Sequence, residues 1–346
     1  MGGIENFMAA LMVQQVKDGH QVSAIVHHHE KGQPFCVAQE SGVKVYRAPY
    51  YGQLAYAPIA PSFGYHLSKI IKQEKPDILH IHMPNLSAFW CLLLPSARKI
   101  PWVIHWHSDV VGAVPDLKIK LLYPFYQVFE KMLLKKASKI IATSPVYAKS
   151  SKPLSSFKDK VEVIPLGINQ QDNDAKRFGE NNREPSNPLT LLMVGRLTYY
   201  KGHRLLIGAI AELKRLGVDI KLRIVGDGEL KSELQEKIAG LGLSHNVQLL
   251  GKLSDSELNQ EFSASDLLCL PSIERTEAFG VVLLEAMRLG KPCLVSDVPG
   301  SGMGWVVQDN KTGFVFKNNS VEDLVKKLVY INSHRKLLSE YGLAGR

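Results

Sequence analysis

Short apolar runs of strand length alternate with amphipathic helical patterns along the whole of this chain. The runs fall at 21–26, 77–82, 102–105, 139–143 and 161–165, then at 189–194, 221–225, 246–250, 267–270 and 293–296. Helical periodicity fills the intervals at 6–19, 62–74, 118–137, 203–216, 229–239, 258–263, 279–289 and 321–338. A strand–helix repeat at this spacing predicts the α/β class, with parallel sheets covered by helices on both faces. In 346 residues it predicts two doubly wound, Rossmann-like domains. Residues 170–188, QQDNDAKRFGENNREPSNP, are polar and aperiodic, as a linker is. The expected organisation is a domain over 1–170, a linker over 171–188 and a domain over 189–346. Two such domains would face a central cleft, and ligands of such sheets bind outside the carboxyl ends of the strands.

Both ends depart from that pattern. The chain opens on Gly2-Gly3 and a helix, where a doubly wound domain normally opens on a central strand, so the first strand is expected to be missing. It closes on YGLAGR directly after the last helical pattern.

Composition removes several classes. Cys36, Cys91, Cys269 and Cys293 are scattered with no C-x-x-C pair, against a disulfide scaffold or zinc ribbon and in keeping with a reducing cytosol. The longest apolar stretch, 86–97, is too short to span a bilayer and contains Pro95. The start MGGIENFMAALMVQQV has no basic n-region, and Asn6 stands where a myristoylation signal has Ser or Thr. The net charge of +9 is uneven: residues 1–172 hold 19 Lys and Arg against 12 Asp and Glu, the rest 23 against 21. Anionic partners are therefore expected in the first half. The segment 116–139, DLKIKLLYPFYQVFEKMLLKKASK, interleaves lysines with aromatics. It suits either an anionic membrane surface or a packed helix with a solvated lysine face. Nucleic acid fits poorly, since no binding motif accompanies the charge.

The chemistry-bearing motifs sit at strand ends. In Glu277-Ala-Phe-Gly-Val-Val-Leu-Leu-Glu285, Glu277 is placed in a loop and Glu285 two turns into a helix. The amides of Phe279, Gly280 and Val281 would then form an anion site at its N-terminus. In VGRLTYYKG, a strand ends, a glycine turns, and Arg196 and Lys201 follow; together they could neutralise a diphosphate. In VGDGE, Gly226 and Asp227 form a turn that lets backbone approach a ligand, or an ordinary strand-to-helix turn with Asp227 as turn former. Gly2 and Gly3 would present amides at a helix mouth. His80 and His82 share one face of a strand, as do His105 and His107, so each pair could chelate a metal. No acidic ligand cluster accompanies them, and a polar lining of the cleft is the preferred reading, with His107, ahead of Ser108 and Asp109, the best single candidate for a role at the reacting groups.

Taken in order along nearly the whole chain, GGIE at 2–5, HSD at 107–109, TSP at 143–145, VIPLGI at 163–168, VGRLTYYKG at 194–202, VGDGEL at 225–230 and the E-x7-E pair Glu277/Glu285 resemble the family 4 glycosyltransferases of GT-B fold. HSD and TSP look most like bacterial mannosyl- and rhamnosyl-type members that build surface polysaccharide. The resemblance implies a retaining transfer from a nucleotide-diphosphate sugar to a hydroxyl acceptor, without a metal or other cofactor. It gives the donor diphosphate to Arg196, Lys201, the amides of Phe279–Val281 and Gly2-Gly3, and the ribose to Glu285. It gives the donor sugar to Glu277 and His107, and the base to the segment around Lys252. It also leads us to expect that a C-terminal crossover helix is missing, and Asn169 stands where many relatives have Asp. The expected reaction moves mannose from GDP-mannose to a lipid-linked saccharide, in the cytoplasm or at the inner face of its membrane. Two other expectations compete: a nucleotide-sugar epimerase or hydrolase on the same fold, and a truncated, non-catalytic nucleotide-sugar-binding paralogue.

Overall fold

A computed structural model describes residues 3–54, 57–110, 117–168 and 188–346. Gly2 and the expected linker, apart from Pro188, lie outside the described residues, as does Asn169. The chain divides into two compact units, one of Ile4–Pro165 and one of Met1–Gly3 with Leu166–Arg346.

In the first unit, the strands form three sheets where the sequence predicts one. Strands β6 (Leu79–Met83), β7 (Trp102–Trp106), β8 (Lys139–Ala142) and β9 (Val161–Val163) make a parallel sheet in that order. Strand β1 (Ser23–His27) pairs in parallel with β3 (Val43–Ala48), which pairs antiparallel with β2 (Cys36–Glu40). A third sheet is the short antiparallel pair β4 (Gly52–Leu54) and β5 (Ala57–Ile59). The β2–β3 hairpin turns on two residues, Ser41 at φ 49° and Gly42 at φ 84°, a left-handed pair that matches the twist of the strands it joins. Strands β2 to β5 are absent from the apolar runs above because β2 is half polar and exposed, Lys44 and Arg47 interrupt β3, and β4 and β5 are three residues each. The unit begins at Ile4, within the helix Gly3–Lys17, which is close to the pattern expected at 6–19.

In the second unit, the six-stranded sheet is entirely parallel. Its strands are β10 (Leu189–Val194), β11 (Ile220–Val225), β12 (Val247–Gly251), β13 (Leu267–Leu270), β14 (Cys293–Ser296) and β15 (Gly313–Phe316). Their order is β12-β11-β10-β13-β14-β15, so the chain builds outward in opposite directions from the β10/β13 pair. Alternation along β10 sends Leu189, Leu191 and Met193 into the core under one face and Leu192 into the core under the other. Strand β15, short and bounded by Gly313, was not among the predicted runs. The helical pattern at 321–338 is two helices, Val321–Ser333 and Lys336–Gly345, broken at His334. Ser320 caps the first by accepting from the Asp323 amide. The second joins the core through Leu338 and Tyr341.

The helix Leu117–Lys136 buries Glu130 completely, and its Oε1 finds no partner among the described residues. Burial, reinforced by the Asp109 charge, pushes its carboxyl up to about 7 from 4.5. Between those pH values the folded chain holds a proton that the unfolded chain has released, so stability falls as pH rises through that window. We expect Glu130→Gln to remove this fall. In urea unfolding the variant should be more stable than the parent at pH 8 and no different below pH 4.5.

Candidate functional site

The point where a parallel sheet reverses its winding leaves a gap between the loops that follow the two central strands. Here those loops are 195–202, after β10, and 271–280, after β13. They are drawn together closely. Ile273 donates its amide to the Tyr200 carbonyl at 2.8 Å. Gly202, at φ 79°, lies so near the Pro271 carbonyl that a Cβ there would stand 1.9 Å from the oxygen. Only glycine meets both demands.

That approach joins two residues to which the family resemblance assigns separate roles. Lys201 Nζ forms an ion pair with Glu277 Oε2, and both side chains are 12% exposed. Ser272 Oγ donates to the same carboxylate oxygen at 3.3 Å, and Ser301 Oγ donates to the Glu277 carbonyl. Burial alone would lower the Lys201 pKa. The charge of Glu277, the Tyr200 ring and the hydrogen bond to Glu277 outweigh it, and the pKa is raised, so Lys201 stays a cation. Arg196 is exposed, makes no ion pair among the described residues, and is near enough for its charge to act on Lys201.

The neighbouring strand ends are tied into the same surface. Leu197 donates its amide to the Asp227 carbonyl at 3.0 Å, and Gly226 to the Gly251 carbonyl at 2.8 Å. A Cβ on Gly226 would stand 1.9 Å from the Gly195 carbonyl oxygen. Asp227 accepts from the Gly228 amide and faces Lys231 at 3.9 Å, which is the turn-forming reading of VGDGE. Lys252, directly after β12, is exposed.

Gly280, at φ 81°, opens the helix Val281–Arg288. Among the described residues the amides of Phe279, Gly280 and Val281 make no backbone hydrogen bond, as an anion site at a helix N-terminus requires. Glu285 is one turn into this helix rather than the expected two, because the helix starts at Val281. Burial raises the Glu285 pKa, against the lowering effect of Arg288.

In the first unit, His107 lies just past the end of β7. Registry sets His82 opposite His105, and alternation puts His80, His82, His105 and His107 on one face. His107 Nε2 and His82 Nδ1 share a hydrogen bond of 2.9 Å, the His105 and His107 rings stack at 4.5 Å, and Phe7 meets both edge-on. Burial, with neighbouring imidazoles adding to it, pushes His82 down to about 2, His107 to about 3 and His105 to about 4. These rings are neutral at physiological pH. Asp109 of the HSD segment accepts from Trp106 Nε1 at 2.8 Å and Ser151 Oγ at 2.7 Å, so it braces the loop. Gly3 is the first residue of its helix.

Sequence reasoning missed Ser272, Ser301, Tyr200 and the partnership of His82 with His107. Ser272 had a readable signal, its place two residues beyond a strand end.

The comparisons agree with the motifs. Residues 174–346 match the family described as Glycosyl transferases group 1, and residues 2–167 match a Glycosyl transferase 4-like domain. The chain belongs to the group 1 glycosyl transferases. It is 34% identical to O-antigen chain mannosyltransferase C of Escherichia coli, over 89% of this chain and 81% of that protein. It is 29% identical to D-rhamnosyltransferase WbpZ of Pseudomonas aeruginosa, over 99% and 86%. In structure it resembles a sucrose-phosphate synthase from Thermosynechococcus elongatus, with a TM-score of 0.79, 20% identity and coverage of 99% and 88%. It also resembles Anabaena HepE, solved with UDP and glucose, with a TM-score of 0.71, 20% identity and coverage of 99% and 90%. The fold is GT-B, and the chain is a glycosyltransferase.

The buried Lys201–Glu277 pair should behave as a unit. Lys201→Met alone strands a carboxylate and should cost on the order of 3 kcal/mol. Adding Glu277→Gln should restore at least half of that. Thermal unfolding of the four proteins in a double-mutant cycle measures the coupling.

Proposed function

We propose that this glycosyltransferase moves a sugar, with retention of configuration, from a nucleotide-diphosphate donor to a hydroxyl of a lipid-linked saccharide, as in building surface polysaccharide. Mannose from GDP-mannose is the preferred donor. The observation that most supports a diphosphate donor is the meeting of Lys201, Arg196 and the Val281 helix N-terminus where the second sheet reverses its winding. Breaking the anomeric bond loads negative charge onto the leaving diphosphate, and fixed cations with free amides stabilise that charge without reorganising.

In this reading Arg196 forks onto the diphosphate, Lys201 contributes a point charge held in place by Glu277, and Gly2-Gly3 add amides. Glu277 meets the donor sugar, and His107 serves it as a neutral ring. Glu285 takes the ribose hydroxyls, Gly226 and Asp227 allow close backbone approach, and Lys252 lies toward the base. No metal is assigned to the diphosphate, since cations are already supplied there. The organisation into a domain to 170, a linker over 171–188 and a domain from 189 is part of the same reading. The preference for mannose rests on the similarity to the O-antigen chain mannosyltransferase.

The helix Leu117–Lys136 supports binding at an anionic membrane surface, which this reading puts on the cytoplasmic side. Phe125 is 71% exposed, and Val128, Phe129 and Met132 are exposed beside it. Lys131, Lys135 and Lys152 line a cavity of about 480 Å³ with Met132 and Phe157. Apolar side chains next to lysines suit the boundary between acyl chains and anionic headgroups. Among the described residues no helix is long and apolar enough to cross a membrane.

Thermal unfolding with GDP, UDP, ADP and their sugars tests the donor. One nucleotide at 100 times its Kd should add about 2.7 kcal/mol. Arg196→Ala and Glu285→Ala should each weaken that nucleotide roughly tenfold or more. No response to any nucleotide overturns the reading. Turnover of the donor without an acceptor would favour the hydrolase or epimerase.

Flotation with vesicles tests the surface. The chain should float with anionic vesicles at low salt and less at high salt, and Lys131→Glu with Lys135→Glu should abolish flotation. No binding to anionic vesicles at low salt overturns this part.

A further inference from the structure

We propose that His80, His82 and His105 form a binding site for one first-row transition-metal cation of the zinc or cobalt class. The inference is independent of the donor assignment: every ligand lies in the first unit, on the adjacent strands β6 and β7.

One ring nitrogen from each of the three histidines lies within 4.8 Å of the other two. A tetrahedral ion with metal–nitrogen bonds of about 2.0–2.1 Å needs nitrogens roughly 3.4 Å apart. To ligate, the side chains must rotate so that the nitrogens close in and each ring turns its in-plane lone pair toward the ion. Registry has already set His82 opposite His105, with His80 one pleat away on the same face. The stacked rings, His80 to His105 at 5.5 Å and His82 to His105 at 5.3 Å, form one compact group.

The cluster also leaves a need unmet. His80 Nε2 and both ring nitrogens of His105 are buried and have no hydrogen-bond partner among the described residues, and His105 is 2% exposed. Buried polar nitrogens left in that condition are costly, and a cation that takes one lone pair from each ring would lower the cost. Three neutral imidazoles with no carboxylate suit zinc, cobalt, nickel or copper and discriminate against magnesium and calcium. A fourth position would be left to water.

His107 gains a defined state from such an ion. His82 Nδ1 is already engaged with His107 Nε2 at 2.9 Å, which leaves His82 Nε2 to the metal. A neutral His82 bound through Nε2 must carry its proton on Nδ1 and donate it to His107. His107 then accepts at Nε2 and keeps its own proton on Nδ1. His107 is thus a residue behind the ligands that fixes the orientation of His82.

The test uses the full chain without a histidine tag, stripped with chelator and dialysed against Zn2+, with bound metal counted by mass spectrometry. We expect one ion per chain. His80→Gln and His105→Gln should each weaken it more than tenfold, and His107→Gln by roughly tenfold, as loss of the partner behind a ligand does. Cys36 Sγ lies 3.7 Å from His28 Nε2 and offers a rival soft pair. The double variant Cys36→Ser, His28→Gln should therefore leave the ion bound. The absorption of the Co2+ form should show nitrogen ligation with no thiolate charge-transfer band. His80→Gln, whose ring is only half-buried, keeps the test decisive if His105→Gln does not fold. No stoichiometric uptake, uptake indifferent to His80→Gln, or a thiolate band would overturn the proposal.

Discussion

The contact between the loops after β10 and β13 is the constraint on which the rest of the second unit's surface depends. Gly202 must have no side chain for the Pro271 carbonyl to come so close, and it must also take a left-handed φ. With that contact made, Tyr200 can accept from the Ile273 amide, and Lys201 and Glu277 meet in a partly dry space. A lysine desolvated without a partner would tend to lose its proton; beside Glu277 its pKa is raised instead. Ser272 and Ser301 then fix the carboxylate and the backbone that bears it. The site's electrostatics thus follow from a backbone approach that glycine alone permits.

The first unit solves a different problem. Four imidazoles on and just beyond two paired strands lie together, and Phe7 of the first helix meets two of them, His105 and His107, edge-on. Burial keeps these rings uncharged, which removes the repulsion four imidazoliums would suffer but leaves several ring nitrogens unsatisfied. Glu130 is a similar case, a buried carboxyl with an unsatisfied oxygen whose pKa is raised by burial and by Asp109. Such features are expensive unless they are used, and in proteins they concentrate near functional surfaces.

Most of the regular fold was legible because burial imposes a period. All ten predicted runs contain strands, most clearly in the second unit, where a parallel strand covered on both faces must be apolar along its length, as β13 is. Of the strands that escaped, β2, β4, β5 and β15 are short, exposed or glycine-bounded, whereas β3 is buried but broken by Lys44 and Arg47 into no continuous apolar run. The pattern at 321–338 read as one helix because its apolar spacing continues across the break at His334. The split of the first unit's strands into separate sheets was not legible either, because pairing partners are chosen across the chain and leave no mark on local periodicity.

By itself the sequence determined the class, the strand ends and the residue types waiting there: two cations after β10, two acids around a glycine turn after β13, and histidines spaced by two on β6 and β7. These are local facts, set by chain geometry and by the need to bury apolar side chains. Only the tertiary structure decided that Lys201 and Glu277 neutralise each other, that Ser151 donates to Asp109, and that His82 and His107 share a hydrogen bond. Each of those depends on which strands lie side by side, and residues as far apart as 201 and 277 carry no record of that in their own neighbourhoods.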